Sequence, residues 1–506
     1  MPAAGQPLSG NLQVDLGRFK TLFDRSSDIV FKEFPIGGRC DCALIYVDGM
    51  VNSEIIDSDI IKPLLSGTVG PSLNEVPIAD RLAYLESRMI CSGQTTKGDR
   101  MDVLTENILS GDTVLLLDHT LQALIIGTRK WESRSVEEPA SEPVIRGPRE
   151  GFTENIRTNT CLVRRRLKTP YLKIEATKIG RLSRTDVAVV YLDHIAEKSI
   201  VDEVRERIGR IDIDAILESG YIEELIEDHS FSIFPQVLST ERPDRFAACL
   251  LEGKVGIIVD NTPFALMVPV TMFDLLHASE DYYQRYIPAT ATRWLRFVLS
   301  FSALVFPSLY IALLTFHQEM LPTTLLLSIA ASREAVPFPA IVEAFLMEVA
   351  FEGLREAGVR LPRPIGQAVS IVGALVIGQA AVQAGIVSAT LVIVVSFTGI
   401  ASFIFPTYSF GFAIRMLRFP LMFAAGTLGL YGLLLGLLTI LIHLARLRSF
   451  GVPFLSPLAP LSFSGLKDVV IRAPWWAMIK RPVQTAKRNR NRIKNDSRPG
   501  PPSSRN

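Results

Sequence analysis

The sequence is poor in the residues that metal and redox chemistry draw on. It holds five cysteines (Cys40, Cys42, Cys91, Cys161 and Cys249) and six histidines in 506 residues. No CxxC pair occurs, and Cys40-Asp41-Cys42 has no His or Cys partner at ligand spacing, so no metal site is expected. Thiols that are odd in number suit a reducing, cytoplasmic compartment better than a disulfide framework. The soluble region also lacks a P-loop, GxGxxG, GxSxG or HExxH stretch, so no cofactor, no catalytic residue and no enzyme are expected. The first twenty or so residues lack the basic and apolar blocks of a secretory signal, so membrane insertion must rest on later segments. There is no excess of one charge either: 53 Lys and Arg face 52 Asp and Glu. That balance argues against a nucleic-acid partner. The basic run of the soluble region, Arg164-Arg165-Arg166-Leu167-Lys168, has no aromatics to stack on bases and reads as an inter-lobe or subunit salt-bridge surface.

What the soluble part does contain is a repeat of itself. Residues 43–57 (ALIYVDGMVNSEIID) align with 188–202 (AVVYLDHIAEKSIVD), with Tyr46/Tyr191 and Asp48/Asp193 among the identities. A second match, Gly111–Asp118 against Gly253–Asp260, follows in the same order, each Asp being trailed by Ala-Leu. Each half opens on a short apolar run, the pattern of a buried strand. Helical stretches follow, clearest at Ser199–Arg210 and Ile213–Asp228, and each half closes on two strands around a turn. The fold class is therefore an α/β N-terminal region of two duplicated lobes, parted by a Ser-, Glu-, Pro- and Gly-rich linker near Glu132–Glu154. Asp48 and Asp193 sit at matching strand ends, where they either cap the next element or line a ligand cleft.

Long uncharged runs dominate the rest, and point to an all-α polytopic transmembrane bundle. Phe297–Phe316 (20 residues) and Phe419–Ala445 (27) each suit one span, and Pro364–Ile414 (51) suits two, near Gln367–Ala384 and Ala389–Phe405. Met320–Ser332 reads as a short or re-entrant helix. Glu348, Glu352 and Glu356 then recur every four residues on one helix face. Like charges at that spacing repel, so this face should be wet: either an interfacial helix or an acidic vestibule for cations. In the next span Ser370, Ala374 and Gly378 form a small-residue ridge, and Gln379 and Gln383 are either interhelical glue or the lining of a hydrated path, with Val372 and Val376 on the glutamine face. From Gly465 onward 11 Lys and Arg face two Asp, so the tail should be cytoplasmic, disordered and drawn to anionic membrane lipid. Arg293 and Arg296 place the start of the first span on the same side, which requires an even number of spans. The arginines at 355–363 and 415–418 do not both fit four spans. The expected units are lobe 1 (1–150), lobe 2 (151–290), a helical membrane domain (291–450) and an interfacial segment with basic tail (451–506).

Several stretches carry a family resemblance: Arg146–Glu154 (RGPREGFTE), Asn159–Arg166, Pro337-Phe338-Pro339, Arg355–Pro362, Ile371–Ser388 (IVGALVIGQAAVQAGIVS), Arg415-x-x-Arg418-Phe419 and Ser449–Pro453. On these residues the chain, from about residue 30 to 465, resembles the A subunits of spore germinant receptors, the GerA family. The resemblance implies a subunit of a nutrient-sensing complex in the inner membrane of the dormant spore. Its partners would be a transporter-like B subunit that binds the germinant and a lipoprotein C subunit. It also implies that A subunits assemble as a homo-oligomer into a cation channel opened by nutrient. The alternatives are a secondary transporter, which the lack of a repeat in the membrane part disfavours, and a non-conducting receptor or adaptor subunit.

Overall fold

The structure is a computed structural model and describes residues 5–36, 40–66, 76–88, 90, 94–130, 138–139, 141–360, 376, 378–493 and 499. The internal repeat emerges as two five-stranded sheets of identical connectivity. The first contains β1 (Ile29–Ile36), β2 (Cys40–Val47), β3 (Thr95–Gly98), β4 (Thr113–Leu117) and β5 (Ala123–Ile126), in the order β1-β2-β4-β5-β3. The second contains β6 (Leu172–Ile179), β7 (Thr185–Leu192), β8 (Leu238–Thr240), β9 (Val255–Val259) and β10 (Ala265–Val268), in the order β6-β7-β9-β10-β8. Every neighbouring pair is antiparallel.

The central strands are apolar on both faces because both faces are covered. In β2, Ala43, Ile45 and Val47 pack with α1 (Leu12–Leu22) and α2 (Met101–Leu109), while Cys42 and Leu44 pack against Ile56, Ile60 and Leu85 on the other side. In β7, Val187, Val189 and Tyr191 meet α4 (Lys198–Gly209), and Ala188, Val190 and Leu192 meet α3 (Ile156–Arg166) and α5 (Pro243–Leu251). The helix expected over Ile213–Asp228 is shorter, Ser219–Ile226. Residues 213 and 214 instead give their carbonyls to the N–H groups of Arg181 and Leu182, and Glu218 caps the helix.

The repeated Asp that closes each matched segment has a structural role. Asp118 Oδ1 accepts from Leu12 N at the start of α1 (3.0 Å), and Asp260 Oδ1 accepts from Ile156 N at the start of α3 (3.0 Å). Asn11 and Asn155 cap the same two helices. Each pair supplies acceptors to N–H groups that a helix leaves unbonded at its first turn. Arg164, on α3, ties the lobes together. Its guanidinium is fully buried and binds Asp28 of lobe 1 through both carboxylate oxygens (2.9 and 2.8 Å), and donates to the carbonyls of Thr169 and Leu172.

Beyond lobe 2 the chain is helical: α6 (Tyr286–Phe316), α7 (Thr323–Arg333), α8 (Ala340–Arg360), α9 (Ala389–Ala401) and α10 (Tyr408–Arg446). Of these, α6 and α10 are long and apolar enough to cross a membrane. The expectation of one span over Phe419–Ala445 is corrected. At Gly429 the backbone leaves the helix (φ 62°, ψ −143°), and α10 folds back on itself. A Cβ on Gly436 would stand 2.5 Å from Leu421 Cδ2, and one on Gly432 would stand 2.1 Å from the Ala424 carbonyl oxygen. Such contacts occur only if the arms 408–428 and 430–446 lie antiparallel. Both arms therefore end at the same place: the Phe234 ring of lobe 2 lies 6.0 Å from Phe410 and 6.0 Å from His443. The far tip, Gly429, meets Phe316 and His317 at the end of α6, and Ile341 near the start of α8 abuts Gly426.

The tail is corrected as well. Its described residues to 493 are not loose but return to lobe 2 as a strap. Ser449 Oγ donates to Gln236 O (2.7 Å), Thr485 Oγ1 to Glu252 O (2.6 Å), and Arg492 pairs with Glu252 (2.8 Å).

Candidate functional site: a charged seam inside the apolar bundle

Two of the three glutamates on the acidic face of α8 meet arginines. Glu348 is 4% exposed and paired with the equally buried Arg418 of α10, and Thr398 Oγ1 of α9 donates to it at 3.4 Å. One turn on, Glu352 pairs with Arg415 (3.1 Å). Arg355 donates to Gly399 O (3.3 Å) and to Ser402 Oγ at the end of α9. Toward the tip, fully buried Glu343 accepts from Ser388 N and lies 3.5 Å from Arg333 Nε. Only Glu356 of the expected stripe is exposed. Arg418 also donates to the Ala303 carbonyl of α6 at 2.9 Å, so one guanidinium joins three helices.

The seam bears on three of the arginines whose placement conflicted in sequence; Arg363 lies outside the described residues. Arg355, Arg415 and Arg418 lie within helices and not in loops, and Arg415 and Arg418 are paired with glutamates there. Glutamates four residues apart on α8 and arginines three apart on α10 stay in register because both spacings are close to one 3.6-residue turn. Sequence reasoning singled out both the glutamates and Arg415-x-x-Arg418 but did not pair them. The signal was available: two arginines at i, i+3 inside an apolar run require carboxylates nearby.

The other sequence-predicted residues are not brought to this seam. Ser370 and Val372 lie outside the described residues. Val376 is 56% exposed, and Gln379 and Gln383 are also exposed on the protomer surface. Neither Asp48 nor Asp193 makes a capping bond: Asp48 pairs with Arg157 (3.2 Å), and Asp193 lies 4.0 Å from Arg488 of the strap. Because the sheets are antiparallel, the crevice that parallel α/β sheets form at their strand ends does not arise there. Among the described residues no group of three or more His, Cys, Asp or Glu is placed to hold a metal. Burial raises the Cys161 thiol to about 12 and the Cys249 thiol to about 11, which removes them as nucleophiles at neutral pH.

Where lobe 2 meets α6 lies a second polar knot. Asp281 pairs with Arg293 (3.2 Å) and Arg296 (2.9 Å), and Asp468 of the strap accepts from Tyr282 (3.0 Å) and pairs with Arg293 (3.2 Å). Burial lifts the Asp468 carboxyl from its ordinary 3.8 to about 6, with Arg293 opposing. A raised folded value means that the fold takes up this proton first. The stability so gained is complete below 3.8 and lost as pH rises through about 6. We expect the thermal midpoint of the detergent-purified chain to carry this downward slope, and Asp468→Asn to flatten it. An unaltered profile in the variant would assign the slope to another group.

The chain has close counterparts. The sequence pattern described as Bacillus/Clostridium GerA spore germination protein matches residues 17–484. "Spore germination protein KA" of Bacillus subtilis is 45% identical over 500 residues, covering 98% of this chain and 91% of the relative. "Uncharacterized membrane protein YfkQ" of the same organism is 47% identical over 477 residues, covering 94% and 92%. A crystal structure of the N-terminal domain of the A subunit of the Bacillus megaterium spore germinant receptor GerK3 is 34% identical, covering 52% of this chain and 97% of that one at a TM-score of 0.39. With a match running from α1 to the strap, and relatives aligned almost end to end, the chain belongs to the GerA spore germination protein family.

Proposed function

We propose that this protein is the A subunit of a nutrient receptor in the spore inner membrane, and that copies of it assemble into a nutrient-gated cation path. Its partners in this reading are the transporter-like B subunit and the lipoprotein C subunit, with the two lobes cytoplasmic. Kinship with germination proteins supports the receptor role. The observation that carries the conduction reading is the outward face of residues 376–383. Val376, Gln379 and Gln383 are exposed on the protomer. Glutamine facing lipid costs several kcal/mol, so this face meets water or another copy. A path built between copies, narrowed at Val372 and Val376 and wetted at the glutamines, satisfies both groups.

Six passes fit this reading. The chain leaves lobe 2 through α6, returns in α8, and α9 runs alongside α8 in the same direction, which accommodates the further span that hydropathy suggests near Gln367–Ala384. The two arms of α10 make the fifth and sixth passes. The seam of Glu348–Arg418 and Glu352–Arg415 then lies within the bilayer, as a latch that holds α8 against α10. The test is reconstitution of the receptor in liposomes with an ion-flux readout. Val376→Ala is expected to leak cations without nutrient, whereas flux that keeps its full nutrient requirement in this variant would place the constriction elsewhere.

A further inference from the structure

A cavity of about 370 Å³ lies between lobe 2 and the returning strap, next to the Asp281–Asp468 knot. Its lobe wall includes Lys254, which is only 4% exposed. Burial opposes a charged ammonium, but Asp274 Oδ1 at 2.7 Å keeps it protonated. An ammonium has three donors, and Asp274 occupies one direction. Two further polar atoms on the same cavity are buried without a hydrogen-bond partner among the described residues: His277 Nε2 and Gln484 Oε1. Burial and the neighbouring arginines hold the His277 imidazole neutral, so it can give or take one hydrogen bond. Leaving such groups unpaired is unfavourable, and three of them around one space call for an occupant.

The walls state what kind. Of the lining carboxylates, Glu252 is taken by Arg492, Asp274 by Lys254 and Asp468 by Arg293, while Lys467, Lys480 and Arg481 line the cavity with no carboxylate partner among the described residues. Phe273, Val452, Val469 and Met478 supply apolar surface. We infer that this cavity is a binding site for a small amphipathic anion, its charge on Lys254 and its apolar body against Phe273 and Met478. Because one wall is lobe 2 and the other is the strap, the occupant would pin the strap to the lobe. A soluble organic carboxylate and an anionic lipid share this chemistry, and the test separates them.

The full-length chain is purified in detergent in buffer free of organic anions, and its thermal midpoint is followed with added benzoate. In a second arm it is placed in nanodiscs of phosphatidylglycerol or phosphatidylcholine. A rise with benzoate assigns a soluble ligand, and a rise only with phosphatidylglycerol assigns lipid. Lys254→Met should weaken the effect about 10- to 100-fold, the usual worth of a charged hydrogen bond. Should that variant fail to fold, Ser464→Trp, at the exposed mouth of the cavity, closes the site with the Lys254–Asp274 pair intact. No rise in either arm, or a rise that survives in the variants, overturns the proposal.

Discussion

Replacing Arg418 with Met is expected to destabilise the protein by about 3–5 kcal/mol, the usual consequence of breaking a buried ion pair from one side. Glu348 would remain with a weak bond from Thr398 and no counter-charge, at 4% exposure in an apolar bundle. The Ala303 carbonyl of α6, which faces Pro307 with no N–H one turn on, would lose the donor that Arg418 supplies. The double variant Glu348→Met/Arg418→Met removes both charges and should recover most of the loss, because a packed apolar pair of similar volume is often neutral or better than a buried ion pair. Thermal midpoints and yields in detergent decide the matter. A single variant as stable as the parent would mean that the pair contributes nothing. A double variant as poor as the single one would mean that Arg418 acts through α6 and not through Glu348. If the pair is a latch, the stable double variant should also conduct without nutrient in the liposome assay.

Gly429→Ala is expected to be comparably damaging, for a reason that involves no charge. Gly429 has φ 62° and ψ −143°, a region that only glycine occupies freely. An added methyl would also lie 2.9 Å from Phe316 Cβ and 2.9 Å from His317 Nε2. Backbone strain of about 1–3 kcal/mol and overpacking of about 1–3 kcal/mol act on the same turn. Gly353→Ala is the matched control, since it sits in α8 with nothing within 4 Å of its Cβ position and should gain up to about 1 kcal/mol in helix propensity. A Gly429 variant that melts with its Gly353 counterpart would show that the hairpin tolerates another turn.

The lobes were readable from sequence where two apolar faces leave a continuous apolar run. Thus β2, β4, β5 and their partners β7, β9 and β10 coincide with the matched segments. The strands β1 and β6 were missed because they carry charged and half-exposed residues such as Lys32, Glu33 and Glu175. The edges β3 and β8 are three or four residues long and held by backbone pairing, which leaves no side-chain pattern. In the membrane region hydropathy located the apolar runs but not the fold of 408–446, because a hairpin turned at one glycine has the same composition as a straight helix. The spacing of Gly426, Gly429, Gly432 and Gly436 was the available sign. The glutamate stripe was legible but its environment was not, since whether a carboxylate faces water or arginine depends on a helix some seventy residues away.

The strap gives the molecule a closed mechanical circuit. The polypeptide departs from lobe 2 at Tyr282–Arg296, traverses the bundle, and is sewn back onto the same lobe at Ser449, Thr485 and Arg492. Asp468 and Arg293 join the outgoing and incoming strands of that circuit directly. A rotation of lobe 2 therefore turns the first and last helices together as a single lever, and α8 and α9 are coupled to it through the Glu348–Arg418 and Glu352–Arg415 pairs.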